Sequence, residues 1–394
     1  PKPEDIGFEQ YKVDQWFMGE LKKGLGLISE HPEEAYNYYG KFTARLFADV
    51  LRTIKTYYDA DDLQYLTISS YVFETYVQDL LSVIGYLGFY GPYETGKSNL
   101  IRVLEYLSYR GVNTTALNPA DIYWILKRGT VTILEDEADD IEKNSDKLRI
   151  YAAGYKKGAT VPRVVNEELR YFPVYSAKIT ASNQPITHPK LKSRFICFVS
   201  RVGSPEKDRI KEGDIKEFEK LRKYLLIWRI LSLLHFPRYF SETPLEGFGW
   251  LYGRDAELWE PIIKVLYLLN VDVDIDLELS GRVLKSYDVW RESIALIKAK
   301  VTNQRHDRIV GDFNAFVLQY ALKALVEIDQ ETGKPRFSWK FEFPKLWTLM
   351  LIENNVPRDA DAFEHETFGR VTKQRVGRAL GVLGFRRQYI YKHE

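Results

Sequence analysis

Apolar residues recur at three- and four-residue spacing, with charges between them, through most of the first eighty positions. Lys41 to Tyr58 is the clearest stretch, and the pattern from about Asp5 to Leu80 predicts helices. It then changes: Tyr86 to Tyr90 is short, apolar and β-prone, and Gly91-Pro92 stops it, which predicts a buried strand feeding a loop. Ser98 to Tyr109 is amphipathic and helical, and Gly129 to Leu134 is a second buried strand running into Glu135-Asp136-Glu137. Val161 to Val165 and Leu169 to Tyr175 flank the polar Asn166-Glu167-Glu168 and predict a hairpin; Lys178 to Ala181 and Phe195 to Val199 are further strands. Strands alternating with helices between about 80 and 200 predict an α/β fold with a parallel sheet sandwiched by helices. Helical periodicity returns from Glu206 to Phe236 and persists to about Trp290. A charged linker, Lys298 to Arg308, leads to a last segment with helices at Ile309 to Ile328, Lys345 to Asn354 and Thr372 to Leu383, and a closing strand or wing at Arg386 to Lys392. The expected organisation is a helical region over 1–80, an α/β core over 81–205, a helical region over 206–297 and a small domain over 298–394.

Composition narrows this modestly. At about 150 residues per domain, 394 residues suit two or three domains, and 45% hydrophobic with 28% charged residues excludes disorder or low complexity for the bulk of the chain. Lys plus Arg numbers 56 against 55 for Asp plus Glu, so any contact with nucleic acid must come from local patches. The one cysteine, Cys197, cannot form an intramolecular disulfide and sits in an apolar run, which suits a core position and a reducing, cytoplasmic compartment. No apolar run approaches the length of a membrane span, and the opening Pro1 hints at a segment processed or excised from a longer protein.

The chemistry is concentrated in the middle. Gly91-Pro92-Tyr93-Glu94-Thr95-Gly96-Lys97-Ser98 fits the phosphate loop G-x-x-x-x-G-K-[ST] in full, and Asn99 follows it into the helix. Its glycines let successive N–H groups turn toward phosphates, and the helix start adds a positive dipole end. Lys97 is placed to reach the β and γ phosphates of ATP, and the Ser98 hydroxyl to bind Mg²⁺. The strand ending in Glu135-Asp136-Glu137 delivers carboxylates where open α/β sheets bind ligands, with Asp136 for the Mg²⁺ shell and Glu137 to polarise a water; Glu135, Asp139 and Asp140 blur that assignment by a residue. Lys178-Ile179-Thr180-Ala181-Ser182-Asn183 ends in an amide that, set between the two earlier strands, can hydrogen-bond both γ-phosphate and water. Arg194, just before a strand, can act across a subunit boundary on transition-state charge, with Arg201 the competing candidate and a surface salt bridge the plain alternative for either.

Phosphate loop, acidic strand, Asn-ended strand and Ser193-Arg194-Phe195, all within about 110 residues, resemble an AAA+ ATPase. The compact spacing and the Thr180-Ala181-Ser182-Asn183 ending are similar to superfamily III helicases of viruses and plasmids, including the helicase part of primase-helicases. The likeness covers residues 85–205 and extends weakly through Gly253-Arg254-Asp255, which resembles the lid of related ATPases and makes Arg254 a lid arginine reaching the nucleotide or a salt bridge at a helix start. The resemblance implies a hexameric ring, ATP turnover between subunits, single-stranded or forked DNA in the pore, 3′ to 5′ movement and a fused or associated primase-polymerase. Tyr151 to Gly158 and the hairpin after it fall where that family places its DNA-tracking hairpin. Here the tip, Asn166-Glu167-Glu168, is acidic, which leaves Lys156, Lys157, Arg163 and Arg170 as basic substitutes or as ordinary surface charge.

From Thr367 to Glu394 seven basic residues stand against one acidic residue. Thr372 can cap a helix that holds Lys373, Arg375 and Arg378 outward while Val376, Leu380 and Leu383 pack inward, and Arg386 and Arg387 open a basic return. This resembles a winged helix meeting DNA. The leading expectation is an ATP-driven replicative DNA helicase of a mobile element. The rivals are an AAA+ initiator or switch that loads or remodels without unwinding, and a small-molecule kinase sharing only the phosphate loop.

Overall fold

The computed structural model describes residues 15–115, 117–127, 129–235, 247–279, 281–310, 312–328, 335–338, 340–365 and 367–386. Its contacts divide the chain into two compact units, 1–298 and 299–394. The segments read from the sequence as 1–80, 81–205 and 206–297 thus lie in one unit.

That unit is built on a five-stranded sheet in the order β2-β3-β6-β1-β7. Its strands are β1 (Tyr86–Tyr90), β2 (Gly111–Thr115), β3 (Thr132–Asp136), β6 (Ala177–Ser182) and β7 (Phe195–Val199). Every pairing is parallel. A parallel sheet needs both faces covered, and Leu87, Ile133, Leu134 and Ile179 of its three middle strands are accordingly fully buried. Between the strands run α4 (Lys97–Leu107), α5 (Pro119–Lys127), α6 (Ser145–Ala153) and the short α7 (Pro189–Lys192). The periodicity did not reveal β2 and α5, whose Gly111-Val112-Asn113-Thr114-Thr115 is too polar to read as a strand. Cys197 lies on β7, half-buried, with its Sγ 3.2 Å from where a Cβ on Gly88 would stand.

The amino-terminal helices pack into the same unit. α1 (Gln15–Glu30), α2 (Pro32–Tyr57) and α3 (Asp62–Val77) precede the sheet. Every residue of α3 from Gln64 to Val77 is buried. A helix buried all round belongs to a core, and α3 lies against α2, α8 (Glu212–His235) and α9 (Gly253–Tyr267). Trp228 of α8 joins them: its ring meets Phe73 edge to face at 4.9 Å and its Nε1 donates to Thr43 Oγ1 at 3.0 Å. A two-stranded β8–β9 (Asp274–Leu279 with Arg282–Lys285) follows. The stretch expected as a linker is helical instead: α10 runs unbroken from Ser286 to Val310, a span free of the helix breakers Gly and Pro.

The second unit holds α11 (Phe313–Leu325), α12 (Phe343–Glu353) and α13 (Lys373–Val382), with two-stranded pairs β10–β11 (Val326–Ile328 with Pro335–Phe337) and β12–β13 (Ala362–His365 with Gly369–Thr372). Its core gathers Val317, Tyr320, Leu346, Trp347, Met350, Val371, Val376 and Leu380. The helix expected to reach Ile328 stops at Leu325, where the chain turns into β10. Of the expected basic return at 386–392, all but Arg386 lies outside the described residues, Arg387 included.

One core group makes the first unit pH-sensitive. Lys178 of β6 is buried and carries its charge among neutral partners: Nζ donates to Val174 O at 3.0 Å and Ser176 O at 3.2 Å, and lies 4.8 Å from the Tyr86 ring centre and 5.6 Å from that of Tyr151. Burial pulls its pKa down to about 7. An unfolded lysine titrates near 10.4, so between about 7 and 10 the unfolded chain binds one proton more and this group makes stability rise with pH by about 1.4 kcal/mol per unit, with no slope below 7. In urea unfolding across pH 6.5 to 9.5, wild type is expected to gain stability faster than Lys178→Met by up to that slope; parallel curves would refute the assignment.

Candidate functional site

The sheet order decides which side chains meet. β6 lies between β1 and β3, so the carboxyl ends of three adjacent strands present the phosphate loop, Asn183 and Asp136-Glu137 side by side. Tyr93 to Asn99, Asp136, Glu137 and Ala181 to Asn183 line one cavity of about 260 Å³. Residues 137 and 97 are forty positions apart in sequence; the parallel ladder alone brings them together.

The loop itself is shaped by backbone that ordinary side chains resist. Gly96 caps α4 in the left-handed region at φ 79°, where a glycine pays no Cβ penalty. At Gly91 a Cβ would stand 2.4 Å from Ser200 O, so that position must be glycine for β1 and the chain after β7 to come this close. Glu94 and Glu137 adopt positive φ of 63° and 58°, a conformation that costs a non-glycine residue about 1–2 kcal/mol. Strain at Glu137, the residue expected to act as base, bends the chain directly after the acidic strand. Asp136 Oδ1 accepts from Glu137 N at 3.1 Å and holds that bend.

Lys97, in the first turn of α4, curls back on the loop: Nζ donates to Gly91 O at 2.8 Å, Pro92 O at 2.7 Å and Thr95 Oγ1 at 3.1 Å. Burial lowers its pKa, while Asp136 and Asp139 raise it in part. Ser98 is exposed in the same first turn, and its hydroxyl and the Asp136 carboxylate line the same cavity. Such hard oxygen donors suit Mg²⁺, and the loop's N–H groups and Lys97 suit the phosphates of ATP. Asn99 lines the cavity too, yet its Nδ2 donates to Tyr57 O at 2.8 Å, so it ties the loop to the end of α2.

Several supports were not legible in the sequence. Asp139, read only as a neighbour that blurred the acidic motif, accepts from Asn183 N at 3.0 Å, from Gln184 N at 3.2 Å and from Asn183 Nδ2 at 3.4 Å. Ala138 N donates to Ala181 O at 2.8 Å beside it, and Glu142 accepts from Thr187 N at 2.7 Å and His188 N at 2.6 Å. The loop after β3 therefore holds the loop after β6. Tyr58, from the region expected to be a separate helical segment over 1–80, packs its ring edge on Phe89, bonds Ser200 Oγ at 2.8 Å and lies behind Gly96. Beneath the motif, fully buried Glu135 faces the other side of β3, pairing with Lys147 Nζ at 2.5 Å and accepting from Tyr151 Oη at 2.7 Å. Burial raises its pKa and those two bonds lower it in part. Glu135 is thus a core anchor, which leaves Asp136 and Glu137 as the carboxylates in the cavity.

Arg194 and Arg254 lie elsewhere. Tyr86 N donates to Arg194 O at 2.9 Å, which fixes Arg194 at the amino end of the strands. Its Nε donates to Ala152 O at 2.7 Å and its guanidinium lies 4.6 Å from the Tyr155 ring centre. Arg254 stacks on the same ring at 5.0 Å, donates to Tyr155 Oη at 2.6 Å and pairs with Glu257. A five-residue strand is about 16 Å long, so Arg254 does not reach the phosphate loop of its own chain; of the two readings, the helix-start ion pair is what the structure contains. Arg201, by contrast, follows β7 on the phosphate-loop side.

The hairpin β4–β5 (Thr160–Val165 with Glu168–Pro173) turns at Asn166-Glu167, both with positive φ. Val161 and Phe172 bury one face. Arg163, on that same face, is held by Asp146 at 3.1 Å and stacks on Tyr123 at 5.1 Å, and Arg170 pairs with Glu168 at 3.0 Å. Lys157 Nζ donates to Asp79 O at 2.7 Å; Lys156 is also exposed, 4.0 Å from Glu257. The outward face of the hairpin carries Val164, Leu169 and Tyr171, the last 65% exposed, so it is apolar where basic residues were expected. On α13, Thr372 Oγ1 accepts from Arg375 N at 3.2 Å as the cap. Arg375 does not face outward as expected: its Nη1 donates to Phe368 O at 2.7 Å and Arg370 O at 3.0 Å, and it stacks on Phe313, because the β12–β13 turn offers carbonyls within reach. Lys373 is exposed but paired with Asp361 at 2.5 Å, while Arg370, Arg378 and Arg386 are exposed.

No protein-family model and no curated protein matches the sequence. Among the described residues no helix is long and apolar enough to cross a membrane, and no cluster of His, Cys, Asp and Glu forms a metal-binding group by itself.

If Asp139 holds the β6 loop, Asp139→Ala is expected to speed hydrogen exchange at the amides of Asn183 and Gln184 by roughly tenfold or more, as loss of a charge-assisted bond worth about 1.5–3 kcal/mol allows. Exchange at Ile179 in the middle of β6 should stay slow. Unchanged rates at both loop amides would show that the carboxylate holds nothing.

Proposed function

We propose that the chain is an AAA+-type ATPase that works on DNA, as a helicase of the superfamily III kind. The observation that carries the reading is the single cavity in which Lys97, Ser98, Asp136, Glu137 and Asn183 meet at the carboxyl ends of β1, β3 and β6. A phosphate sensor needs the loop; it does not need a strained glutamate and an amide aimed at the same space. The insertion of β6 between β1 and β3 supports AAA+ over a simple kinase, since it sets the amide between the phosphate loop and the base.

In this reading the loop amides and Lys97 bind the phosphates of ATP, and Ser98 with Asp136 would hold Mg²⁺, which supplies charge neutralisation at the transferring phosphoryl group. Glu137 takes a proton from water, and Asn183 orients that water, itself held by Asp139. Arg194, at the opposite end of the strands, serves the neighbouring subunit of a ring. DNA contact comes from exposed cations, with Lys156 on the hairpin side and Arg370, Arg378 and Arg386 on the carboxy-terminal unit, a winged-helix module in this reading.

Lys97→Ala is expected to abolish ATP binding, whereas Glu137→Gln keeps binding and lowers kcat by about 10²–10⁴. Phosphate release measured with and without forked DNA checks both; DNA-stimulated turnover close to wild type in either variant would overturn the assignment. Arg194→Ala subunits mixed into wild type should depress activity more than in proportion, and strictly proportional activity would reject a residue acting across subunits. Strand separation on forked DNA distinguishes a helicase from a switch that only binds.

A further inference from the structure

A second groove lies between α1 and α8, lined by Trp16 from the first and Lys216, Glu219, Lys220, Lys223 and Tyr224 from the second. Its volume is about 280 Å³. The α8 residues stand three and four apart and so share one helix face. Three of them are lysines against one glutamate, and the ammonium groups are strung over seven residues, about 10 Å of helix at 1.5 Å per residue. Burial and, after it, the charge of Glu20 on α1 raise the pKa of Tyr224, so an acidic group stands within electrostatic reach of that ring.

The aromatic part is built rather than incidental. Trp16 packs edge to face on Tyr224, with ring centres 4.8 Å apart, and remains 39% exposed. Tyr224 rests in turn on Phe42, which stacks on Tyr38. A tryptophan held by a ring contact and still partly exposed loses little freedom when a flat ring lands on it. Lysines alone would suit any anion, and an acidic peptide would use them as well. A fixed indole beside a row of lysines suits a polymer that alternates flat rings with phosphates, and spaced ammonium groups suit consecutive phosphates better than one.

We propose that this groove binds single-stranded nucleic acid, a base stacking on Trp16 while Lys216, Lys220 and Lys223 meet the backbone. A duplex keeps its bases stacked on one another and cannot offer one to the indole. The site shares no residue with the ATP cavity, the hairpin or the carboxy-terminal unit, and the proposal does not rest on the ATPase reading.

The test uses the full chain and a fluorescein-labelled (dT)20, with a bromodeoxyuridine version for photo-crosslinking. Crosslinks are expected in peptides containing Trp16 or Tyr224. Trp16→Ala should weaken binding by about five- to hundredfold, as loss of one stacked base does, and Trp16→Phe should restore most of it. Lys216→Glu with Lys220→Glu, both exposed, should weaken binding and lower the slope of log affinity against log salt by about 1.4, at about 0.7 per phosphate contact on a single strand. Lys97→Ala should leave all of this intact, so a failed ATPase reading does not decide the outcome. The proposal is overturned if crosslinks map only elsewhere and folded Trp16→Ala and double-lysine variants bind as wild type. It is equally overturned if thymidine monophosphate or a poly-glutamate peptide fills the groove as well as (dT)20 does.

Discussion

The parallel pairing of β6 with β1 on one side and β3 on the other is the constraint on which the candidate site depends. Parallel strands point their carboxyl ends the same way, so the loops that leave those ends all land at one edge of the sheet. In this chain those loops carry the turn Gly91 to Ser98, an amide and two carboxylates. Registers such as Leu87 with Ile179 and Leu134 with Ile179 place the three ends level. A strand inserted anywhere else would leave the same residues on the surface with nothing to do together.

Level strand ends do not by themselves fix side chains, and the polar bonds around them do the rest. Glu135 and Lys147 anchor β3 from below, Asp139 and Glu142 hold the β6 loop, and Tyr58 and Asn99 hold the phosphate loop against α2. A buried ion pair such as Glu135 with Lys147 is weak as a source of stability, because desolvation cancels much of its attraction. Its bonds are directional, though, and Tyr151 and the Leu117 amide share the carboxylate, so the pair fixes how β3 enters the site. Together with the left-handed backbone at Glu137, this makes the acidic bend a place where position is held at a cost in folding energy.

How much was legible depends on the range of each signal. Tyr86–Tyr90 and Phe195–Val199 were readable to the residue because an apolar run between breakers is local information. The phosphate loop, Asp136, Glu137 and Asn183 were readable because their chemistry restricts residue type at fixed spacing. Asp139 was visible but could not be ranked above Asp140, since its role depends on a loop more than forty residues away. The same holds for Tyr58, and for α3, whose all-round burial makes it core although its position in sequence suggested a separate region. Arg375 was misjudged because an arginine on an amphipathic helix reads as outward, and only tertiary structure shows an aromatic ring and backbone carbonyls within its reach.

The two ends of the sheet divide the chemistry in a way that bears on assembly. The phosphate loop and its carboxylates occupy the carboxyl end, while Arg194 and Arg254 stack on Tyr155 at the amino end, a strand's length away. An arginine that stabilises charge on a transferring phosphoryl group must touch it, and no rotamer change spans about 16 Å of strand. For Arg194 to serve the proposed reaction, it must therefore leave Tyr155 and meet the cavity of another copy. A cation–π contact, worth about 0.5–2 kcal/mol, and hydrogen bonds from Nε to Ala152 O and from Nη1 to Ser193 Oγ hold it in place, and charge-assisted bonds to phosphate would have to replace all of them. On the proposed reading, release from Tyr155 must therefore be driven by the new bonds to phosphate in the neighbour. In the proposed ring, the cavity of one copy would hold the nucleotide while Arg194 of the next copy meets its phosphates.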